Sequence, residues 1–166
     1  MSDRERSDLL DTLRHHRHLL RHTAFGLRDD QARTRSTVSE LTVGGLIQHV
    51  TRMESRWAGF LGRGTEAFGT DPEAAHAAHR ASFVMREDQT LEEILAAHAA
   101  QAARTDDLVR SVDLDADHAL PVTPWWPEGT RWTCRRAIHH VVAETAQHAG
   151  HADIIREALD GQKSMG

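Results

Sequence analysis

Apolar residues recur along this chain at helical rather than alternating spacings, and glycine and proline divide them into four stretches. Leu9, Leu10, Leu13, Leu20, Phe25 and Leu27, set among acids, arginines and histidines, predict a first helix over about 4–27. A second opens at Thr42, a residue suited to capping a helix start, and runs to about 61, ahead of Gly62 and Gly64. A third, with the weakest amphipathic signal, covers about 91–111, with Thr90 as candidate cap and Leu91, Ile94, Leu95, Ala102 and Leu108 at helical spacing. The fourth starts near Thr133, after a loop holding three of the four prolines, and continues to Asp160 before Gly161. At 1.5 Å per residue it is about 42 Å long.

Four helices of this size predict an all-α fold, a four-helix bundle. The connection from Gly62 to Gln89 exceeds the roughly 2–8 residues that join antiparallel neighbours. It is expected to cross the bundle, leave the second and third helices roughly parallel, and hold a short helix around 73–81.

The 166 residues correspond to a single domain, 1–166, long enough to bury a core. No apolar run approaches the roughly 18 residues of a spanning segment, so no membrane role is expected. The opening MSDRERSDLL lacks the apolar stretch of a secretory signal, which makes the cytoplasm the expected location. Cys134 is the single cysteine, so no internal disulfide is expected. The formal net charge of −5 argues against a nucleic-acid partner. Of the 20 basic residues one is lysine, Lys163, a bias typical of GC-rich coding sequences such as those of actinobacteria. The outlier is histidine, with 13 residues, and histidine is the commonest metal ligand.

On a helical wheel with His140 at zero, His151 falls near about 20°, Glu144 near about 40° and His148 near about 80°. Ala137, Val141, Ile155 and Leu159 share that sector, so a polar stripe lies on the face expected to turn inward. Buried imidazole and carboxylate groups are costly unless paired, hydrogen-bonded or metal-bound. In the second helix His49 lies close to Leu46, Met53, Trp57 and Phe60, at the margin of the apolar face. Taken alone, such a histidine is an ordinary core residue. Glu144 and His148, four apart, present their side chains to one point, and a third ligand from a facing helix would complete a three-ligand site with open positions.

The run Leu46-Ile47-Gln48-His49, together with His140-x-x-x-Glu144-x-x-x-His148-Ala149-Gly150-His151-Ala152-Asp153, resembles the DinB/YfiT-like superfamily of four-helix metalloproteins. The closer similarity, over essentially the whole chain, is to its actinobacterial branch of mycothiol-dependent enzymes. That resemblance implies a divalent metal held by His49, Glu144 and His148, with zinc expected and nickel or iron as the other candidates. It also implies mycothiol as thiol cosubstrate. His140 and His151 become the candidate catalytic imidazoles: His140 orients Glu144 or a bound water, and His151 either replaces Glu144 on the metal or supports a ligand. The activity implied is transfer of the thiol sulfur to a small electrophile. The alternatives are a thiol-dependent isomerase of the maleylpyruvate type, metal-assisted hydrolysis, and a non-catalytic metal or small-ligand binding bundle. A homodimer is implied by analogy.

Trp57, Trp125 and Trp126 are candidate walls of the thiol or acceptor pocket. The alternative for the tryptophan loop is an apolar plug over the bundle end. The run His15, His16, His18, His22, among Arg14, Arg17 and Arg21, reads as a solvated face. His76 and His79 sit among alanines with no partner visible in the sequence, and Glu73-Ala74-Ala75-His76 is half of a di-iron motif without a second copy. Cys134, near the start of the fourth helix, is either a thiol activated by the helix terminus or a structural one.

Overall fold

The computed structural model describes residues 3–124 and 126–164. In chain order the elements are α1 (Asp3–His22), α2 (Asp29–Ala32), α3 (Val43–Arg63), a 3₁₀ turn over Gly64–Phe68, α4 (Pro72–Ser82), α5 (Leu91–Ser111), β1 (Asp117–Ala119), β2 (Arg131–Thr133) and α6 (Cys134–Asp160). Side-chain chemistry sets the helix starts. Thr42 Oγ1 accepts from the Gly45 amide, Thr133 Oγ1 from the Arg136 amide, and Thr90 Oγ1 from the Glu93 amide. The Glu93 carboxylate reaches back to the Thr90 N–H. Each bond satisfies a donor that a helix start leaves without an intrahelical partner. At the far end of α6, Gly161 takes the left-handed conformation, φ 82°, that closes a helix at little cost for glycine alone.

The chain is mostly helical, as expected, and α3, α5 and α6 lie close to their predicted bounds. The short helix expected around 73–81 is α4. α1 ends at His22, short of the expected residue 27, because Thr23 Oγ1 donates to the Leu20 carbonyl and the chain turns through Gly26 at φ 72°. Phe25 is consequently 74% exposed rather than part of the core. The antiparallel ribbon of β1 and β2, pairing His118 with Trp132, is an addition to the all-α expectation. Strands of three residues are too short for an alternating pattern to register.

α1 packs on α6, α6 on α3, α3 on α5 and α5 on α1, which closes a ring. Two apolar clusters fill it. One joins Leu9, Leu13, Phe60, Val109 and Ile138; the other joins Leu20, Leu46, Ile94, Ala152 and Ile155. The starts of α3 and α5 therefore share one cluster and their ends share the other, so these two helices run in the same direction. The long crossover makes this arrangement possible.

Arg17 departs from the solvated face expected of its neighbours. It is 4% exposed, four residues after Leu13 and three before Leu20 on the inward face of α1. Its guanidinium binds both Glu54 oxygens, at 2.6 and 3.1 Å, and Asp106 at 2.7 Å, and so links α1, α3 and α5. The histidines around it are exposed or half-buried, as expected.

A second buried polar group has no such compensation. His98 in α5 is 1% exposed, and neither ring nitrogen has a hydrogen-bond partner among the described residues. Burial, reinforced by Arg21 and Arg17, pushes its pKa down to about 4. The imidazole is thus neutral in the folded chain and protonates more readily when unfolded, so stability should be lost as pH falls from about 6.5 toward 4. His98→Leu removes an unsatisfied polar group and should raise unfolding free energy by about 1–3 kcal/mol at neutral pH. It should also flatten the acid limb between those pH values, as measured by urea unfolding across pH.

Candidate metal centre

Two helices, α3 and α6, converge on one interior point. Thr42 starts α3 such that His49 faces inward, 4% exposed, and Glu144 and His148 extend from successive turns of α6. One ligand atom from each of His49, Glu144 and His148 lies within 4.8 Å of the others. His148 Nε2 is 3.6 Å from Glu144 Oε2, and the His49 and His148 rings meet edge to face with centroids 4.8 Å apart. Burial pushes the His49 pKa down to about 3, reinforced by His148 and His79 and opposed by Glu144. Contact with His148 holds Glu144 below the ordinary carboxylate range, against the opposing effect of its own burial. The centre thus offers an ionised carboxylate and, at His49, a neutral imidazole, the protonation states metal ligation requires. Two imidazoles and one carboxylate are a donor set that catalytic zinc sites use.

The other candidates surround these three residues. His140 Nε2 stands 3.8 Å from Glu144 Oε1, so the two carboxylate oxygens face different imidazoles. The His140 ring packs edge to face against both Trp57 and Trp132, at centroid distances of 4.7 and 5.3 Å. Its pKa is lowered by burial, with Glu144 opposing. His151 Nδ1 is 3.4 Å from His148 Nδ1, the ring nitrogen remote from Glu144. The structure therefore places His151 behind His148 rather than beside His49. Trp57 is 4% exposed, stacks on Trp132 at 5.1 Å and meets Trp126 and Phe68 edge-on. Trp126 is half-buried against the same block, and Trp125 lies outside the described residues.

The model of the mycothiol-S-transferase family matches residues 8–161. The chain belongs to that family. No curated protein and no solved structure matches it. Membership supports the resemblance to mycothiol-dependent, DinB-like proteins carried by the His49 and Glu144–Asp153 runs.

Within this family member, the crossover adds residues to the centre that sequence reasoning missed. The end of α4 packs against His49: Phe83 stacks on its ring at 3.7 Å, His79 meets it edge-on at 5.2 Å, and Ser82 Oγ is 2.8 Å from its Nδ1. His79 was seen in the sequence only as a histidine among alanines. No periodicity predicts a contact between a crossover and the face of another helix. The one local sign is Gly44-Gly45, since a Cβ on Gly45 would stand 2.0 Å from the Phe83 carbonyl oxygen. Cys134 takes no part: it is fully buried, its Sγ approaches the Leu61 carbonyl at 3.6 Å, and burial pushes the thiol up rather than activating it. A groove of about 690 Å³ between the end of α1 and the start of α5, lined by His18, Arg21, Phe25 and Leu95, contains none of the centre's residues.

Proposed function

We propose that the chain is a metal-dependent mycothiol S-transferase acting on a small electrophile, and that His49, Glu144 and His148 hold the metal. The observation that carries this reading is the convergence of those three donors in a member of the mycothiol-S-transferase family. We read the helix ring as the DinB-like four-helix bundle of a single domain, 1–166, in the cytoplasm. Zinc is the ion we assign, because the set of two histidines and one glutamate suits it. A divalent cation there would favour the thiolate form of a bound thiol at neutral pH, providing the nucleophile.

The protein's own groups do the rest. His140 orients Glu144 through Oε1, and the aromatic block of Trp57, Trp126 and Trp132 behind it keeps that side of the centre dry. His151 braces His148 by accepting, at Nδ1, the Nδ1–H of a ring that faces Glu144 through Nε2, and the proton released by the thiol passes to solvent. The exposed side of this block, at Trp126, is the wall we assign to the thiol or its acceptor. The sulfur then bonds to the electrophilic carbon, and the electron pair displaced there passes to the leaving group or to the opened epoxide oxygen, which takes up a proton.

Contacts to the body of mycothiol, remote from the sulfur, favour it in turnover as well as in affinity. Mycothiol should outpace glutathione and free cysteine by roughly tenfold or more, equivalent to about 1.4 kcal/mol of transition-state binding per tenfold. Rates measured with bimane-type and epoxide acceptors should show this preference, and chelation should abolish it. Equal rates with metal-loaded and metal-free protein for all three thiols would eliminate the transferase reading and leave a binding bundle.

A further inference from the structure

His49 can ligate through either ring nitrogen, and which one is free depends on where its single proton sits. The neutral ring carries one N–H and one lone pair, and its partners select the tautomer. The partner of Nδ1 is Ser82 Oγ at 2.8 Å, and both residues are buried, 4% and 3% exposed. The Ser82 hydroxyl has one proton, and it donates that proton to the His79 carbonyl at 2.5 Å. A carbonyl only accepts, so the direction of this bond is fixed, and Ser82 Oγ is left to accept from His49. The chain of donors runs from His49 Nδ1–H to Ser82 Oγ–H to the His79 carbonyl. We propose that Ser82 is a positioning residue that holds His49 in its Nδ1–H tautomer and so presents the Nε2 lone pair to Glu144 and His148.

The surrounding residues fix Ser82 in turn. Gln48, the neighbour of His49 on α3, donates from Nε2 to the Ser82 carbonyl at 3.1 Å and the Val84 carbonyl at 2.8 Å. Gln89 Nε2 donates to Gln48 Oε1 at 2.7 Å, orienting the Gln48 amide. Gly45 lets the Phe83 carbonyl approach α3 as closely as it does, and Phe83 then covers the face of the His49 ring. The long crossover therefore does more than connect two parallel helices: its one buried hydroxyl is clamped against the imidazole that α3 contributes. Partners on the non-ligating nitrogen of a metal-bound histidine orient the ring and strengthen it as a ligand, and removing them typically costs 10–100-fold in metal affinity. This consequence rests on the metal reading above, whereas the tautomer itself does not.

The test is a long-range proton–nitrogen correlation spectrum of metal-free protein at neutral pH, with His49 assigned by its absence in His49→Gln. Wild type should show a protonated Nδ1 and an unprotonated Nε2. Ser82→Ala should lose that bias and bind zinc about 10–100-fold more weakly in competition with a chromogenic chelator. Ser82→Thr, which keeps the hydroxyl, should restore both. A wild-type His49 protonated at Nε2 overturns the proposal, and does so even if the alanine variant fails to fold. An unchanged tautomer in folded Ser82→Ala overturns it as well, whatever that variant's zinc affinity. A Ser82-dependent tautomer in a wild-type chain that binds no zinc supports the proposal and removes the metal reading instead.

Discussion

Protein purified without chelator should carry close to one divalent ion per chain, and His148→Ala should carry essentially none. His148 is the central member of the triad: its Nε2 faces Glu144, its ring edge faces His49, and its Nδ1 is braced by His151. Removing it takes an imidazole donor from a buried site and leaves two donors from two different helices. Loss of a partner behind a ligand already costs about 10–100-fold in affinity, so loss of the ligand itself should exceed about 100-fold. Glu144→Gln should weaken binding strongly, because an amide replaces the one anionic donor, while His151→Asn should keep the ion. His18→Ala, on the exposed side of α1, serves as the control that leaves metal content unchanged. Elemental analysis after gel filtration reads all four variants. Full retention of metal by His148→Ala would end the assignment of His49, Glu144 and His148 as the centre.

Glu54→Ala should be the most damaging substitution outside the centre, destabilising the fold by about 3–5 kcal/mol. Glu54 is fully buried and accepts two hydrogen bonds from Arg17, itself 4% exposed. Truncating the carboxylate strands a guanidinium in the interior with Asp106 as its remaining buried acid. The cost comes from leaving the buried guanidinium with one acid where it had two, more than from the net value of the pair. Replacing both partners, Arg17→Met with Glu54→Leu, should therefore cost less than Glu54→Ala alone, since apolar groups of similar volume need no counter-charge. Urea unfolding of the two single variants and the double variant measures the coupling. A double variant no more stable than Glu54→Ala would show that the network contributes through its hydrogen bonds and not by avoiding a stranded charge.

The two predictions concern residues that differed in how clearly the sequence marked them. Glu144 and His148 were visible at once, because spacing of four on a helix is a local property and the apolar residues around them said which way the helix faces. Arg17 has the same kind of signal, lying between Leu13 and Leu20 on the inward face. Its charge and its neighbours Arg14, His16 and His18 obscured it, and its partners Glu54 and Asp106 are far away in the chain.

Local interactions determined most of the helix bounds. Thr42, Thr90, Thr133 and Gly161 act within one turn of themselves, so caps and stops can be read from adjacent residues. The histidine and glutamate runs on α3 and α6 likewise pointed to the family that the match over residues 8–161 establishes. Tertiary structure alone decided that His151 stands behind His148, that Trp57 packs into an aromatic block against His140, and that Ser82 and Phe83 reach His49. Each of these depends on the relative rotation and depth of packed elements, which side-chain shapes throughout the two apolar clusters set together. A crossover has no periodic face of its own to announce where it will dock. Its position over His49 follows from the gap left by Gly45 and the hydrogen bonds of Gln48, and both act only once α3 and the crossover have met.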